Sequence, residues 1–295
     1  MMAKHVSEEQ KRSYFEDGFV VFPGIIPEDL LQELRIEAER GRAAVNAKNG
    51  RPSQRLQPLV DYPEHINMRP FDRYQSLEPL RLALAELLEE PFGEDIMPWA
   101  TRPTIGILYE PADRPWCTSW HRDYRDVTRG LDLDAWFTAS QDIRMFNQVN
   151  CPLYDDESLW VVPGSHARED TDEEIRRFPD RPIPAPAFEG SIEACEEMIR
   201  EYAQSMPGAV LVPLKAGDYL LYRNSLWHIG VYSPRLKRAT IHDGIFSRPQ
   251  LMFYARTPIR RGEDGKPIAM DNPNANQPAY REIMEARQAE IESEG

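Results

Sequence analysis

The hydrophobic positions of this chain change their period once, near Pro98. Before it, apolar residues recur at helical spacing. Leu30, Leu31, Leu34 and Ala38 form one face of a helix opening at Pro27, with Glu28 and Asp29 suited to the positive end of its dipole. Leu80, Leu84, Leu87 and Leu88 form a second face over residues 77–88, closed by Glu89-Glu90-Pro91. A shorter helix is predicted ahead of both. Ser7 caps it, Gln10 takes the capping-box position, and it runs through Tyr14 and Phe15 to a stop at Gly18. The apolar run 19–22 reads as a strand ended by Pro23-Gly24. The polar stretch 41–58 reads as a loop.

After Pro98, short β-branched and aromatic runs alternate with Pro, Gly and Asp. The runs are 104–109, 119–123, 143–149, 159–162, 209–213, 219–222, 229–232 and 240–246. About eight short strands with turn signals between them is the pattern of a β-sandwich or barrel. Residues 167–205 interrupt it with charge and proline, then a helix over 192–202, and read as a surface insertion and candidate lid. Helices first and strands afterwards predict one mainly β unit with flanking helices, of the α+β class. Its parts are a helical region over about 1–98, a β core over about 99–250 and a C-terminal extension over 251–295. Within that extension, 267–278 reads as a linker and 280–294 as a charged outer helix.

Composition narrows the partners. With 41% hydrophobic residues in 295, the chain can bury a sizeable core. Lys and Arg number 35 against 49 Asp and Glu, a net charge of −14 that repels phosphate backbones and anionic lipid. Nucleic acid and membrane are therefore not expected as partners. No apolar run reaches the ~18 residues of a membrane span. The polar N-terminus lacks the apolar region of a secretory signal. Cys117, Cys151 and Cys195 are odd in number and far apart, as expected of reduced thiols in a cytoplasmic protein.

The candidate chemistry lies in Trp120-His121-Arg122-Asp123. On a strand, His121 and Asp123 would share one face. The chain has six histidines: His5, His65, His121, His166, His228 and His242. His5 falls in the terminus, His65 in a loop and His166 in a turn, while His242 reads as a hydrogen-bonded core histidine. His228, at the start of a strand, is the candidate third ligand. Two His and one carboxylate with open positions suit non-haem Fe(II). A zinc hydrolase or a cupin-like metal- or ligand-binding protein would use the same three residues.

The run Leu159-Trp160-Val161-Val162-Pro163-Gly164-Ser165-His166 stands between the His-x-Asp and a later Gly217-Asp218…Trp227-His228. With Asp17-Gly18-Phe19-Val20-Val21-Phe22-Pro23-Gly24, it resembles the phytanoyl-CoA dioxygenase family over roughly residues 8–250. These are Fe(II)- and 2-oxoglutarate-dependent oxygenases. The resemblance implies a double-stranded β-helix (jelly-roll, cupin-like) core. It implies His121, Asp123 and His228 as iron ligands, 2-oxoglutarate as cosubstrate and O2 as oxidant. It also implies an Arg just beyond the distal His. Arg238 stands there, with Arg235 as the fallback. A guanidinium grips the cosubstrate's far carboxylate by a charge-assisted pair. Thr118 and Asn147 are further polar candidates for the cosubstrate, and His166 is expected to be structural. In related halogenases a small residue replaces the carboxylate ligand, so Asp123 favours hydroxylation.

The expected substrate is a small-molecule metabolite. Residues 41–70, 124–137 and the insertion are expected to line its pocket. They and their flanks carry Arg51, Arg55, Arg69, Arg73, Arg122, Arg125 and Arg129, suited to an anion, and Tyr62, Tyr74, Tyr124, Trp136 and Phe137, suited to an aromatic or apolar group.

Overall fold

Ser7 caps the first helix, α1 (Glu8–Arg12), through a capping box with Gln10, as its sequence predicts. The computed structural model describes residues 5–89, 104–126, 131–247, 249, 250, 253 and 285. A π-helical turn, Ser13–Asp17, follows α1, and Gly18 closes it at φ 85°. Glycine is required there twice over. The backbone is left-handed, and a Cβ would fall 2.5 Å from His166 Nδ1.

Ten strands among the described residues form two antiparallel sheets. They are β1 (Phe19–Phe22), β2 (Arg55–Leu56), β3 (Gly106–Tyr109), β4 (Trp116–Cys117), β5 (Asn147–Pro152), β6 (Leu159–Val161), β7 (Val210–Leu211), β8 (Tyr219–Arg223), β9 (His228–Tyr232) and β10 (Ala239–Ile245). The larger sheet has the order β1-β8-β5-β10-β3-β2 and the smaller β4-β9-β6-β7. Consecutive side chains point to opposite faces, so each strand serves two environments.

On its outer face the larger sheet packs Tyr219, Leu221, Ile241 and Val149 against the helices. Those helices are α2 (Glu28–Asn49), α3 (Arg69–Gln75) and α4 (Glu78–Leu88). Leu30, Leu34, Leu84 and Leu87 are all at most 1% exposed. Burial of each such side chain stabilises by roughly 1.5–3 kcal/mol. Between the sheets, Leu159, Val161, Leu220, Tyr222 and Leu226 form an inner core. The outer face of the smaller sheet carries Trp227 and Ile229, covered by Ile199 of the helix Ile192–Gln204. The insertion thus closes the outside of the smaller sheet. The result is a mainly β, jelly-roll core with flanking helices.

Three local expectations change. The second helix does not stop at residue 41 but runs to Asn49, ended by Gly50 at φ 64°. Its buried face continues from Leu34 and Ala38 through Gly41 and Val45 at helical spacing. Gly41 lets Ile66 approach so closely that a Cβ would fall 2.7 Å from it. Beyond that stretch stands α3, a helix the periodicity did not predict, whose buried Pro70, Phe71 and Tyr74 form one apolar side. Within the run 143–149 only the part from Asn147 is strand. A helix, Leu133–Ser140, stands between the His121–Asp123 segment and β5. The linker 267–278 lies outside the described residues, as does the tail 280–294 apart from Glu285.

No helix among the described residues is long and apolar enough to cross a membrane. All three cysteines are buried and free.

Candidate metal centre

His121 and Asp123 are not on a regular strand, contrary to the run predicted over 119–123. β4 ends at Cys117, and His121 makes an isolated antiparallel bridge with His228. Each backbone N–H donates to the other's carbonyl, at 3.1 and 3.0 Å. That bridge sets the two imidazoles side by side, with ring centroids 4.2 Å apart. The Asp123 N–H donates to Asn224 O at 2.9 Å. Tyr124 then turns the chain away at φ 66°, a conformation costly for a bulky residue. The carboxylate is left facing both rings. Its Oδ1 is 3.3 Å from His121 Nε2 and its Oδ2 is 3.8 Å from His228 Nε2.

One ligand atom from each of His121, Asp123 and His228 fits within 4.8 Å of the others. No other group of three or more possible ligand residues meets this condition among the described residues. The tautomers follow from the backbone. His121 Nδ1 is 2.7 Å from Ser119 O, and His228 Nδ1 is 2.9 Å from Leu226 O. A carbonyl can only accept, so each Nδ1 carries the hydrogen. Each Nε2 then offers its lone pair to the space before Asp123. This donor set fits a divalent metal with open positions.

Charge agrees with that arrangement. Burial works to raise the Asp123 carboxyl, but the hydrogen bond from His121 and the field of the imidazoles bring it down to about 2. Burial, aided by the charge of His121, lowers His228 to about 4. Burial opposes protonation of His121 too, but Asp123 outweighs it and the imidazole is raised. A metal held there would meet an ionised carboxylate and a neutral His228, and would have to displace any proton from His121.

The triad opens into a cavity of about 260 Å³ between the sheets. Gln148, Asn150, Tyr222 and His242 line it from the larger sheet, and Thr118, Gly230 and Tyr232 from the smaller. Arg238, just before β10, is 6% exposed and also lines it. Its Nε donates to Asp156 Oδ2 at 2.8 Å, and its guanidinium carbon lies 4.9 Å from the Tyr232 ring centroid. Asp156 is itself held by the Ser158 N–H and the Thr240 hydroxyl. Among the described residues its terminal guanidinium nitrogens have no hydrogen-bond partner. Arg235 is instead paired with Glu193 and Glu196 on the outside.

Thr118 lines the cavity while its Oγ1 accepts the Gly230 N–H at 3.1 Å. Asn147 does not line it, which corrects that expectation. Its Oδ1 accepts from the Tyr14 hydroxyl, and its Nδ2 donates to Ile143 O. The strand phase explains the difference: Gln148 and Asn150 point inward, so Asn147 points outward. His166 is buried beside Gly18 and lowered to about 4 by burial, away from the triad cavity. His242 lines the cavity and also meets Asn150 Oδ1 through Nδ1 at 3.1 Å, so it is both inward-facing and hydrogen-bonded.

Most of the expected pocket residues have other uses. Arg122 and Arg125 both reach Asp170 at 2.9 Å, tying the insertion to the segment that carries His121 and Asp123. Arg73 pairs with Asp29 and Glu33. Tyr74 and Trp136 lie in apolar clusters. Arg129 lies outside the described residues. No residue of 167–205 lines the triad cavity, so the insertion covers the smaller sheet and not the triad. The residues that sequence reasoning missed are Gln148, Asn150, Tyr222, Tyr232 and Asp156. The alternation Gln148-Val149-Asn150-Cys151 was the available signal for the first two.

A family model described as Phytanoyl-CoA dioxygenase (PhyH) matches residues 14–231. Among solved structures, AviO1 from Streptomyces viridochromogenes Tue57 is 17% identical with a TM-score of 0.53, covering 84% of this chain and 97% of that one. EctD from S. alaskensis with bound Fe is 16% identical with a TM-score of 0.55, covering 84% and 79%. HygX from Streptomyces hygroscopicus, with nickel and 2-oxoglutarate bound, is 17% identical with a TM-score of 0.52, covering 82% and 88%. These likenesses are of fold. No curated protein sequence matches the chain significantly.

Proposed function

Because the chain belongs to the phytanoyl-CoA dioxygenase family, and so is a non-haem iron, 2-oxoglutarate-dependent oxygenase, we propose that His121, Asp123 and His228 hold the iron and that Arg238 anchors the cosubstrate. The observation that carries the ligand assignment is the convergence of the three donors within 4.8 Å. Arg238 follows from its place in the same cavity with its terminal nitrogens open. Thr118 is a further cosubstrate contact through its hydroxyl. The whole chain works as one oxygenase unit on a small-molecule substrate, with hydroxylation as the reaction.

Iron in this site, with 2-oxoglutarate and O2, supplies oxidation of the substrate with release of succinate and carbon dioxide. The protein's part is positional. Ser119 O and Leu226 O fix the two rings so that neither needs to reorient on binding. Asp123 occupies its position with a carboxylate, which leaves no room at that ligand for halide and favours hydroxylation. Arg238 holds the distal carboxylate and so orients the chelating end toward the triad. Leu108 and Leu159 supply apolar wall to the cavity, which limits water beside the metal.

The test is direct. Fe(II) and 2-oxoglutarate are added without oxygen, and the visible charge-transfer absorption of the chelate is recorded. Oxygen is then admitted and succinate assayed while metabolites are screened for stimulation. Absorption followed by substrate-stimulated succinate is the expected result. Intact protein giving neither would overturn the proposal.

A further inference from the structure

Arg238 reaches the cavity already paired. Its guanidinium and the Asp156 carboxylate are 2.8 Å apart, with side chains 7% and 4% exposed. The pair sums to zero charge in a poorly solvated place. A distal carboxylate arriving there would put two negative charges beside one positive charge.

A second cation stands in the same cavity. Arg55, on β2, lines it, and among the described residues it has no ion-pair partner. Its Nε donates to Gln57 Oε1 at 2.8 Å, which leaves the terminal nitrogens open. The strand register places it at the distal end. Arg55 lies opposite Leu108, and Leu108 opposite Thr240, whose hydroxyl reaches Asp156. Directly paired residues share a sheet face, so Arg55, Leu108 and Thr240 form one row on the side of the cavity that Arg238 also lines.

We infer that Arg55 is a second cation for the cosubstrate's distal carboxylate, required because Asp156 already neutralises Arg238. The inference rests on the cosubstrate assignment above. Arg55 is largely exposed, so solvent screens it and its effect is moderate and salt-dependent.

The experiment compares the wild type with Arg55→Gln and Arg55→Lys, loaded with Fe(II) without oxygen. Each is titrated with 2-oxoglutarate and with 2-oxopentanoate, which keeps the chelating end but lacks the distal carboxylate. Arg55→Gln should weaken 2-oxoglutarate by about tenfold, leave 2-oxopentanoate unchanged and leave Fe(II) affinity unchanged. Arg55→Lys should recover most of the loss. Unchanged 2-oxoglutarate affinity in Arg55→Gln overturns the inference. An equal loss for both oxo acids also overturns it, since Arg55 would then support the site's shape and not the carboxylate. If the wild type forms no chelate at all, the cosubstrate assignment falls and this inference with it.

Discussion

At the scale of single residues, the site depends on what each polar atom is already bonded to. His121 and His228 give up Nδ1 to backbone carbonyls and keep Nε2 for a metal. Asn147 faces away from the cavity, with its amide bonded to Tyr14 and Ile143, so it does not reach a cosubstrate there. Arg238 is intermediate, with Nε committed to Asp156 and its terminal nitrogens open. Two effects of Arg238→Ala follow. Loss of a bidentate charge-assisted pair should weaken 2-oxoglutarate by roughly a hundredfold, with Fe(II) affinity unchanged in anaerobic titration. Removing one partner of a buried pair should also cost about 3 kcal/mol of stability by urea denaturation. If cosubstrate affinity is unchanged, another residue holds the distal carboxylate.

Secondary-structure elements carry the site through two devices. One is the backbone bridge between His121 and His228, which replaces the strand that the His-x-Asp spacing suggested. The other is the N-terminal unit, where the turn after α1 sets β1 against β8 in register Phe19 to Tyr222. Gly18 is the pivot of that unit. Gly18→Ala would force an L-residue into the left-handed region, costing about 1–2 kcal/mol, and overlap His166, costing roughly 1–3 kcal/mol more. A loss of about 2–5 kcal/mol in chemical denaturation is the expected outcome. A loss of only about 1–2 kcal/mol would show that His166 can move aside, and a variant as stable as the wild type would overturn both costs. The end of α2 that the sequence misplaced has a physical cause. α2 loses its obvious leucines after Leu34 and continues on Ala38, Gly41 and Val45, small residues that fit where another segment approaches closely.

For the molecule as a whole, the larger sheet separates a polar cavity from the core against the helices, and one carboxyl stands on the core side. Asp243, on β10, is 6% exposed, and burial raises it to about 8, although the Gly244 N–H donates to it. Its ordinary value in the unfolded chain is near 4. Between those values the folded protein holds a proton that the unfolded chain has released. Stability from this group therefore falls as pH rises from about 4 to about 8 and levels off above. Asp243→Asn imitates the protonated form and removes that dependence. Its melting temperature relative to wild type should rise from pH 5 to pH 8. A constant difference across that range would show that Asp243 titrates as an exposed carboxyl.

The sequence alone determined the family and the class of chemistry, and it offered His121, Asp123, His228 and Arg238 as candidates. Those are properties of residue types in a given order. The tertiary structure decided which way each polar side chain faces and what it is already paired with. A shift of one residue in the start of β5 exchanges Asn147 for Gln148 at the cavity wall, because neighbouring strand positions face opposite sides. Asp156 lies 82 positions from Arg238 and meets it only because the two sheets close on each other. Such pairing depends on through-space distance, to which spacing along the chain is blind.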